Sequence, residues 1–201
     1  RLGNIVPDGT AINFIAEGGQ IVSVSGTATS TCMTSGGACS VKLVSAEYRP
    51  QNDSEPGGHF GPVVTKDRVT VTAYTLGEES FLDSNGNNYY ESGEPWDDLG
   101  DIFIDNNESS SWDSGEQVIR YNLTNSSVCV NGMSAAMGTP SKLDAAASVP
   151  STCDGVWGAA HVRRSLVIVF SGHTAQTTDL GPIAVPANCN GITIRTVRAY
   201  C

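Results

Sequence analysis

Apolar and polar residues alternate with a period of two along much of this chain, which predicts short strands rather than helices. The clearest runs are residues 11–15 (AINFI), 20–24 (QIVSV), 39–44 (CSVKLV) and 68–74 (RVTVTAY). Residues 162–170 (VRRSLVIVF) read as a buried strand, 192–200 (ITIRTVRAY) as a last strand, and 117–121 as a short one. Turn chemistry separates them: Pro7-Asp8-Gly9 before the first strand, Gly18-Gly19 between the first two, and a long polar loop over 49–62. Residues 122–160 are rich in Ser, Ala and Gly and define no firm element beyond one or two helical turns over 141–147. Short strands between turns, with no amphipathic helix, predict an all-β chain folded as a β-sandwich.

One stretch, residues 78–116, departs from this pattern. It carries 12 of the 21 acidic residues and no Lys or Arg. Asp83, Asn85, Asn87, Tyr89, Glu91 and Glu94 fall at positions 1, 3, 5, 7, 9 and 12 of a twelve-residue loop, and Asp105, Asn107, Ser109, Ser111, Asp113 and Glu116 repeat those positions 22 residues later. An EF-hand-type loop presents oxygens to Ca²⁺ at these offsets, with a carboxylate at position 12 that binds through both oxygens. The flanks repeat too: Phe81 with Phe103, Tyr90 with Trp112, and Ser92-Gly93-Glu94 with Ser114-Gly115-Glu116.

Position 6, where such a loop turns on Gly, holds Asn88 and Ser110. Asn tolerates positive φ and Ser does so less well. No helix pattern flanks either loop, so the expectation is a pair of helix-free calcium loops inserted in a β-protein, with two or three ions. Acid, aromatic, acid recurs in Glu79-x-Phe81-x-Asp83, Glu94-x-Trp96-x-Asp98 and Asp101-x-Phe103-x-Asp105; the aromatic is expected to plug into the domain while the acids face the ions, and Asp97, Asp98 and Asp101 between the loops are further candidate ligands. The competing reading is a solvated acidic linker, but the aromatics Phe81, Tyr89, Tyr90, Trp96, Phe103 and Trp112 argue against one.

The formal net charge of −10 is therefore local, since the rest of the chain has 9 acidic against 11 basic side chains. No basic stripe supports nucleic-acid binding, and the acidic stretch would repel phosphates. Six cysteines in a chain rich in Gly, Ser, Thr and Asn point to an oxidising, extracellular setting. Six allow 15 connectivities; proximity favours Cys32 with Cys39 across a hairpin tip, Cys129 with Cys153, and Cys189 with Cys201. A zinc site is disfavoured, because no C-x-x-C pair exists and the histidines lie far from the cysteines in sequence. With no signal peptide and no 18-residue apolar run, a processed or excerpted segment without membrane insertion is expected.

The run VPDGTAINF, the following GG-x-I, the cysteine hairpin and RVTVTAY together resemble bacterial immunoglobulin-like domains of the invasin and intimin type, over about residues 3–26 and 39–75. The resemblance implies an immunoglobulin-like β-sandwich (1–77 and 117–201) interrupted by the calcium-loop insertion (78–116), serving as one module of a stalk or adhesin array on a bacterial cell surface. Its partners would be neighbouring copies or flanking immunoglobulin-like repeats. In such domains a strand precedes the GN-x-VPDGT turn, and residues 193–201 (TIRTVRAYC) look like that strand. They either fold back in a permuted register, complete a neighbouring copy by strand addition, or mark only where the segment was cut.

No nucleophile elbow or H-E-x-x-H motif is present. His59, His161 and His173 sit beside small residues in loops or at a strand end, where a surface or capping role is expected. The dense carboxylate pairs belong to the loop pattern, so the chain is not expected to be an enzyme. Two functions remain: a structural unit of an extracellular fibre, or a calcium-dependent module binding a glycan or a host protein.

Overall fold

A computed structural model describes residues 5–46, 68–137 and 148–170. Its organising strand is β5 (Arg68–Glu78), whose first half is buried on both faces at Val69, Thr70, Val71 and Thr72. Its backbone is hydrogen-bonded along both edges. β1 (Ala11–Ala16) pairs antiparallel on one side, with Asn13 opposite Tyr74 and Ala16 opposite Val71. On the other side β8 (Ala159–Val169) pairs along its whole length, from Arg68 opposite Val169 to Glu78 opposite Ala159. β3 (Thr31–Met33) adds to β1, giving the sheet order β3-β1-β5-β8. Small polar pairs help set the register: Thr31 Oγ1 donates to Asn13 Oδ1 at 2.9 Å, and the hydroxyls of Thr72 and Ser165 lie 2.8 Å apart.

A second antiparallel pair joins β2 (Gln20–Ser23) to β4 (Val41–Val44), and a third joins β6 (Ile102–Phe103) to β7 (Val118–Ile119). The chain is thus all-β apart from α1 (Gly132–Met137) among the described residues. The strands predicted within the described residues occur, with β5 and β8 longer than the patterns suggested and β4 starting at Val41 rather than at residue 39. The α1 turn was not anticipated. At its start Gly132 lies against backbone: its amide donates to Trp96 O at 2.8 Å, and a Cβ there would meet that oxygen at 2.8 Å. The helical turn expected at 141–147 and the strand at 192–200 lie outside the described residues.

Cys32 and Cys39 are bonded, as proximity suggested, but the hairpin between them is only a tip. Ser35 and Ala38 form a single bridge, after which the two arms part, β3 to the four-stranded sheet and β4 to its pairing with β2. The disulfide therefore ties one sheet to the other. Cys129 and Cys153 are also bonded, and Cys153 is fully buried. Bonds of this kind form and persist outside reducing compartments. No helix among the described residues is long and apolar enough to cross a membrane. Cys189 and Cys201 lie outside the described residues.

The turn from β1 to β2 depends on Gly19, which has φ +74° and stands where a Cβ would lie 2.7 Å from Val44 O. Both the left-handed backbone and the adjacent strand exclude a side chain. Gly19→Ala should cost about 2 kcal/mol or more in a urea titration, and a neutral result would show that this turn repacks freely.

The acidic stretch is not a solvated linker. Leu99, Ile102, Phe103 and Ile104 are buried, together with Val22, Val69, Val71, Met133, Val149 and Ala160. Their removal from water holds the insertion in place.

Candidate metal centre

Each twelve-residue loop is closed by its own carboxylates. In the first, Asp83 Oδ1 accepts from the amides of Gly86 (2.7 Å) and Asn87 (3.2 Å), and Oδ2 from Asn88 (2.7 Å). Asn85 Oδ1 takes the Asn87 amide and Asn87 Oδ1 the Tyr89 amide. The Asn85 side-chain nitrogen donates to Glu91 at 2.6 Å. Glu94 then staples the loop, Oε1 accepting from Ser84 N at 2.8 Å and Oε2 from Glu91 N at 3.0 Å.

The second loop repeats these bonds 22 residues on. Asp105 accepts from the amides of Ser109 and Ser110, and Asn107 Oδ1 from Ser109. Asn107 Nδ2 donates to Asp113 at 2.8 Å, while Ser111 N reaches Ser109 Oγ. Glu116 accepts from Asn106 N and Asp113 N, both at 2.9 Å. Flanking bonds match as well: Leu82 N to Pro95 O, and Ile104 N to Gln117 O. The Phe81–Trp96 bridge corresponds to the Phe103–Val118 pair.

Backbone conformation follows the same repeat. Positions 4, 6 and 11 all have positive φ: Gly86 (76°), Asn88 (68°) and Gly93 (105°) in one loop, Glu108 (58°), Ser110 (64°) and Gly115 (107°) in the other. Position 6 thus takes the left-handed turn without glycine in both loops. Replacing Ser110 with Gly should relieve that conformation and stabilise the protein by about 0.5–1 kcal/mol, net of glycine's entropy cost. A thermal melt of Ser110→Gly that falls below wild type would contradict this.

The sequence-selected positions 1, 3, 5, 9 and 12 are therefore linked within each loop. Tyr89 and Ser111, at position 7, can contribute their main-chain carbonyls. None of Asp83, Glu91, Glu94, Asp105, Asp113 and Glu116 is paired with a Lys or Arg among the described residues. Arg68 pairs instead with Glu108, at position 4 of the second loop. Amide donors from Asn88 and its neighbours hold the Asp83 carboxyl below the usual range, and the Asn107 amide and Ser109 hydroxyl do the same for Asp113. Burial pushes Glu116 up. Among the described residues no three His, Cys, Asp or Glu side chains form a ready-made metal cluster. The donor set is carboxylate, amide, hydroxyl and carbonyl oxygen, which suits a hard cation such as Ca²⁺ and would need several donors beyond the carboxylates.

Asp98 and Asp101 are turned elsewhere. Both are 2% exposed; Asp98 Oδ2 accepts from Gly155 N at 3.0 Å and Asp101 Oδ1 from Tyr121 N at 2.9 Å. Glu79, the first acid of the rhythm, is equally buried, with Leu99 N and Gly158 N on its two oxygens. Backbone amides from 99, 121, 155 and 158 thus hold these acids. Phe81 and Phe103 do turn inward, and Phe81 meets Tyr90 and Trp157 edge-on at 5.6 and 5.8 Å.

Glu17 was not singled out by sequence. It is 3% exposed, accepts from Thr70 N at 2.6 Å, and receives the Asn106 side-chain amide at 2.8 Å in the orientation that satisfies both neighbours. Thr70 Oγ1 donates to Asp105 O at 3.1 Å. The second loop is thereby wired to β1 and β5 through contacts that no local pattern reveals. His161 lies half-buried between Tyr74 and Tyr121, whose rings meet it edge-on, and burial lowers its pKa. His59 and His173 lie outside the described residues. No family model, curated protein or solved structure matches this chain.

Proposed function

We propose that this chain is a structural unit of an extracellular protein, an immunoglobulin-like module of a bacterial surface fibre or adhesin, stiffened by disulfides and by calcium in the 83–94 and 105–116 loops. The observation that carries the reading is the duplicated loop: the same bonds and the same positive-φ positions recur 22 residues apart, around carboxylates at positions 1, 9 and 12 that pair with no Lys or Arg among the described residues. A loop that only connected two strands would not need both copies to keep position 9 against position 3 and position 12 across the neck.

Terbium is the direct probe, since Tyr89, Tyr90 and Trp112 lie within the loops and can sensitise its emission. Calcium should quench the signal by competition, and the paired variants Glu94→Gln and Glu116→Gln should abolish the loop contribution. Emission unchanged in the double variant would remove the basis for loop binding.

Assembly by strand addition is favoured by β8, whose outer edge pairs with no strand among the described residues and carries exposed Leu166 and Val169. Light scattering in calcium should then give multiples of the chain mass that survive dilution. A single-chain mass would favour the second reading, a calcium-dependent glycan- or protein-binding module. The observation on that side is Tyr89, 76% exposed at position 7 of the first loop.

A further inference from the structure

Asparagine followed by glycine occurs at 85–86, 131–132 and 190–191, and the last pair lies outside the described residues. In such a pair the main-chain nitrogen of the glycine can attack the asparagine's side-chain carbonyl, because no Cβ on the following residue crowds the approach. The fold treats the two described pairs differently. Asn85 and Gly86 are both exposed, at positions 3 and 4 of the first loop, and a Cβ on Gly86 would meet nothing within 4 Å. Gly86 N donates to Asp83 Oδ1 at 2.7 Å, so a carboxylate sits on the hydrogen that must leave when this nitrogen attacks. That bond uses the N–H in the peptide plane and leaves the face of the nitrogen open. Asn85 Oδ1 accepts from Asn87 N at 3.0 Å, so a donor sits on the oxygen that gains charge.

Asn131 is exposed as well, but its glycine is pinned. Gly132 N donates to Trp96 O at 2.8 Å as α1 begins, and a Cβ there would lie 2.8 and 3.2 Å from the Trp96 backbone. Asn131 itself is bridged to Asp97. In the second loop Asn107 repeats the bonds of Asn85, with Ser109 N on its Oδ1 at 3.0 Å. The residue after it is Glu108, whose side chain is tied to Arg68 at 2.8 Å.

We infer that Asn85 is a self-modifying residue, converted in the folded protein while Asn131 and Asn107 are spared. Gly86 N bonds to Asn85 Cγ, the Cγ–Nδ2 bond breaks, and the nitrogen's proton leaves with the amide group as ammonia. The product is a five-membered succinimide, which one water molecule then opens. Cleaving the new bond leaves aspartate. Cleaving the original peptide bond leaves isoaspartate, whose main chain runs through the side-chain carbons and is one atom longer. Either product changes the first loop alone: aspartate adds a negative charge at position 3, and isoaspartate shifts Asp83 against Glu94. An effect on calcium rests on the metal reading; the reaction itself does not.

The test holds the disulfide-intact chain in calcium-free, mildly alkaline buffer, folded and in urea, and follows each asparagine by peptide mapping with mass spectrometry. In urea Asn85 and Asn131 should convert alike, since both precede glycine. In the folded chain Asn85 should continue to convert and Asn131 should fall behind by about tenfold or more, because freeing Gly132 from Trp96 breaks at least one backbone hydrogen bond. Asn107 should trail Asn85 in both states. Gly86→Ala should suppress conversion at Asn85 in urea too, where a folding defect cannot be the cause. Equal rates at Asn85 and Asn131 in the folded chain would overturn the inference. So would conversion at Asn85 that proceeds in urea and stops on folding. With calcium absent throughout, neither result depends on whether the loops bind it.

Discussion

Chelating calcium should lower the thermal unfolding midpoint by about 10–20 °C. If both loops bind calcium as proposed, each with calcium about a hundredfold above its dissociation constant, the ions would stabilise the folded state by about 5 kcal/mol together. In a chain of this size each kcal/mol moves the midpoint by about 2–4 °C. The loss should be local first. Without ions the six loop carboxylates have only amide and hydroxyl donors to oppose their repulsion, so amide exchange should rise across 83–94 and 105–116 before the β1–β5–β8 ladders respond. Calorimetry with and without chelator, followed by hydrogen exchange, makes the check. An unchanged midpoint together with unchanged exchange in the loops would leave calcium no structural role there.

The second large effect is a pH dependence centred on Glu17. Burial lifts its carboxyl to about 7, against the opposing pull of the Thr70 amide and with Asp105 and Glu108 adding to the rise. A carboxyl whose pKa is raised on folding binds its proton more tightly in the native state. Its contribution to stability is thus complete below the unfolded value of about 4.5 and disappears as pH climbs through about 7. Calcium-free protein should therefore be more stable at pH 5 than at pH 8, with Glu17 supplying at most about 3 kcal/mol of the difference. Glu17→Gln, neutral throughout, should match wild type near pH 5 and exceed it at pH 8. Urea titrations of both proteins at both pH values decide the matter; a variant weaker at both would mean that the ionised carboxylate is what the fold requires. Calcium in the second loop, placed beside Asp105, should pull the Glu17 pKa down and flatten the wild-type profile.

The contrast between Asn88 and Glu17 explains what could be read from the chain. Strand β5 was legible because its alternation is local, and the loops were legible because the spacing of their oxygen-bearing side chains is a one-dimensional signal that occurs twice. The two sequence-close disulfides among the described residues were legible for the same reason. Position 6 was partly so: Asn88 signalled tolerance of a left-handed turn, whereas Ser110 gave no such hint and adopts it because the second loop's bonds demand it. What escaped was long-range. Nothing around Glu17 announces a partner at Asn106, nothing around Gly132 announces the Trp96 backbone, and the parting of β3 from β4 is invisible in a hairpin-like run of residues. Asp98 and Asp101 stand in the sequence as candidate ligands, and local spacing says nothing of their backbone partners. Which amides would hold them depended on where 121 and 155 come to rest.

One pairing has an architectural consequence. Glu78 lies directly opposite Ala159, so residues 79–158, with both loops, α1 and the Cys129–Cys153 bond, leave and rejoin the sheet at a single rung of the β5–β8 ladder. In outline this is one long hairpin whose turn has grown into a cassette. A short turn spliced between those two residues should leave the ladder's register intact, and the same cassette could be transplanted to the tip of an unrelated hairpin.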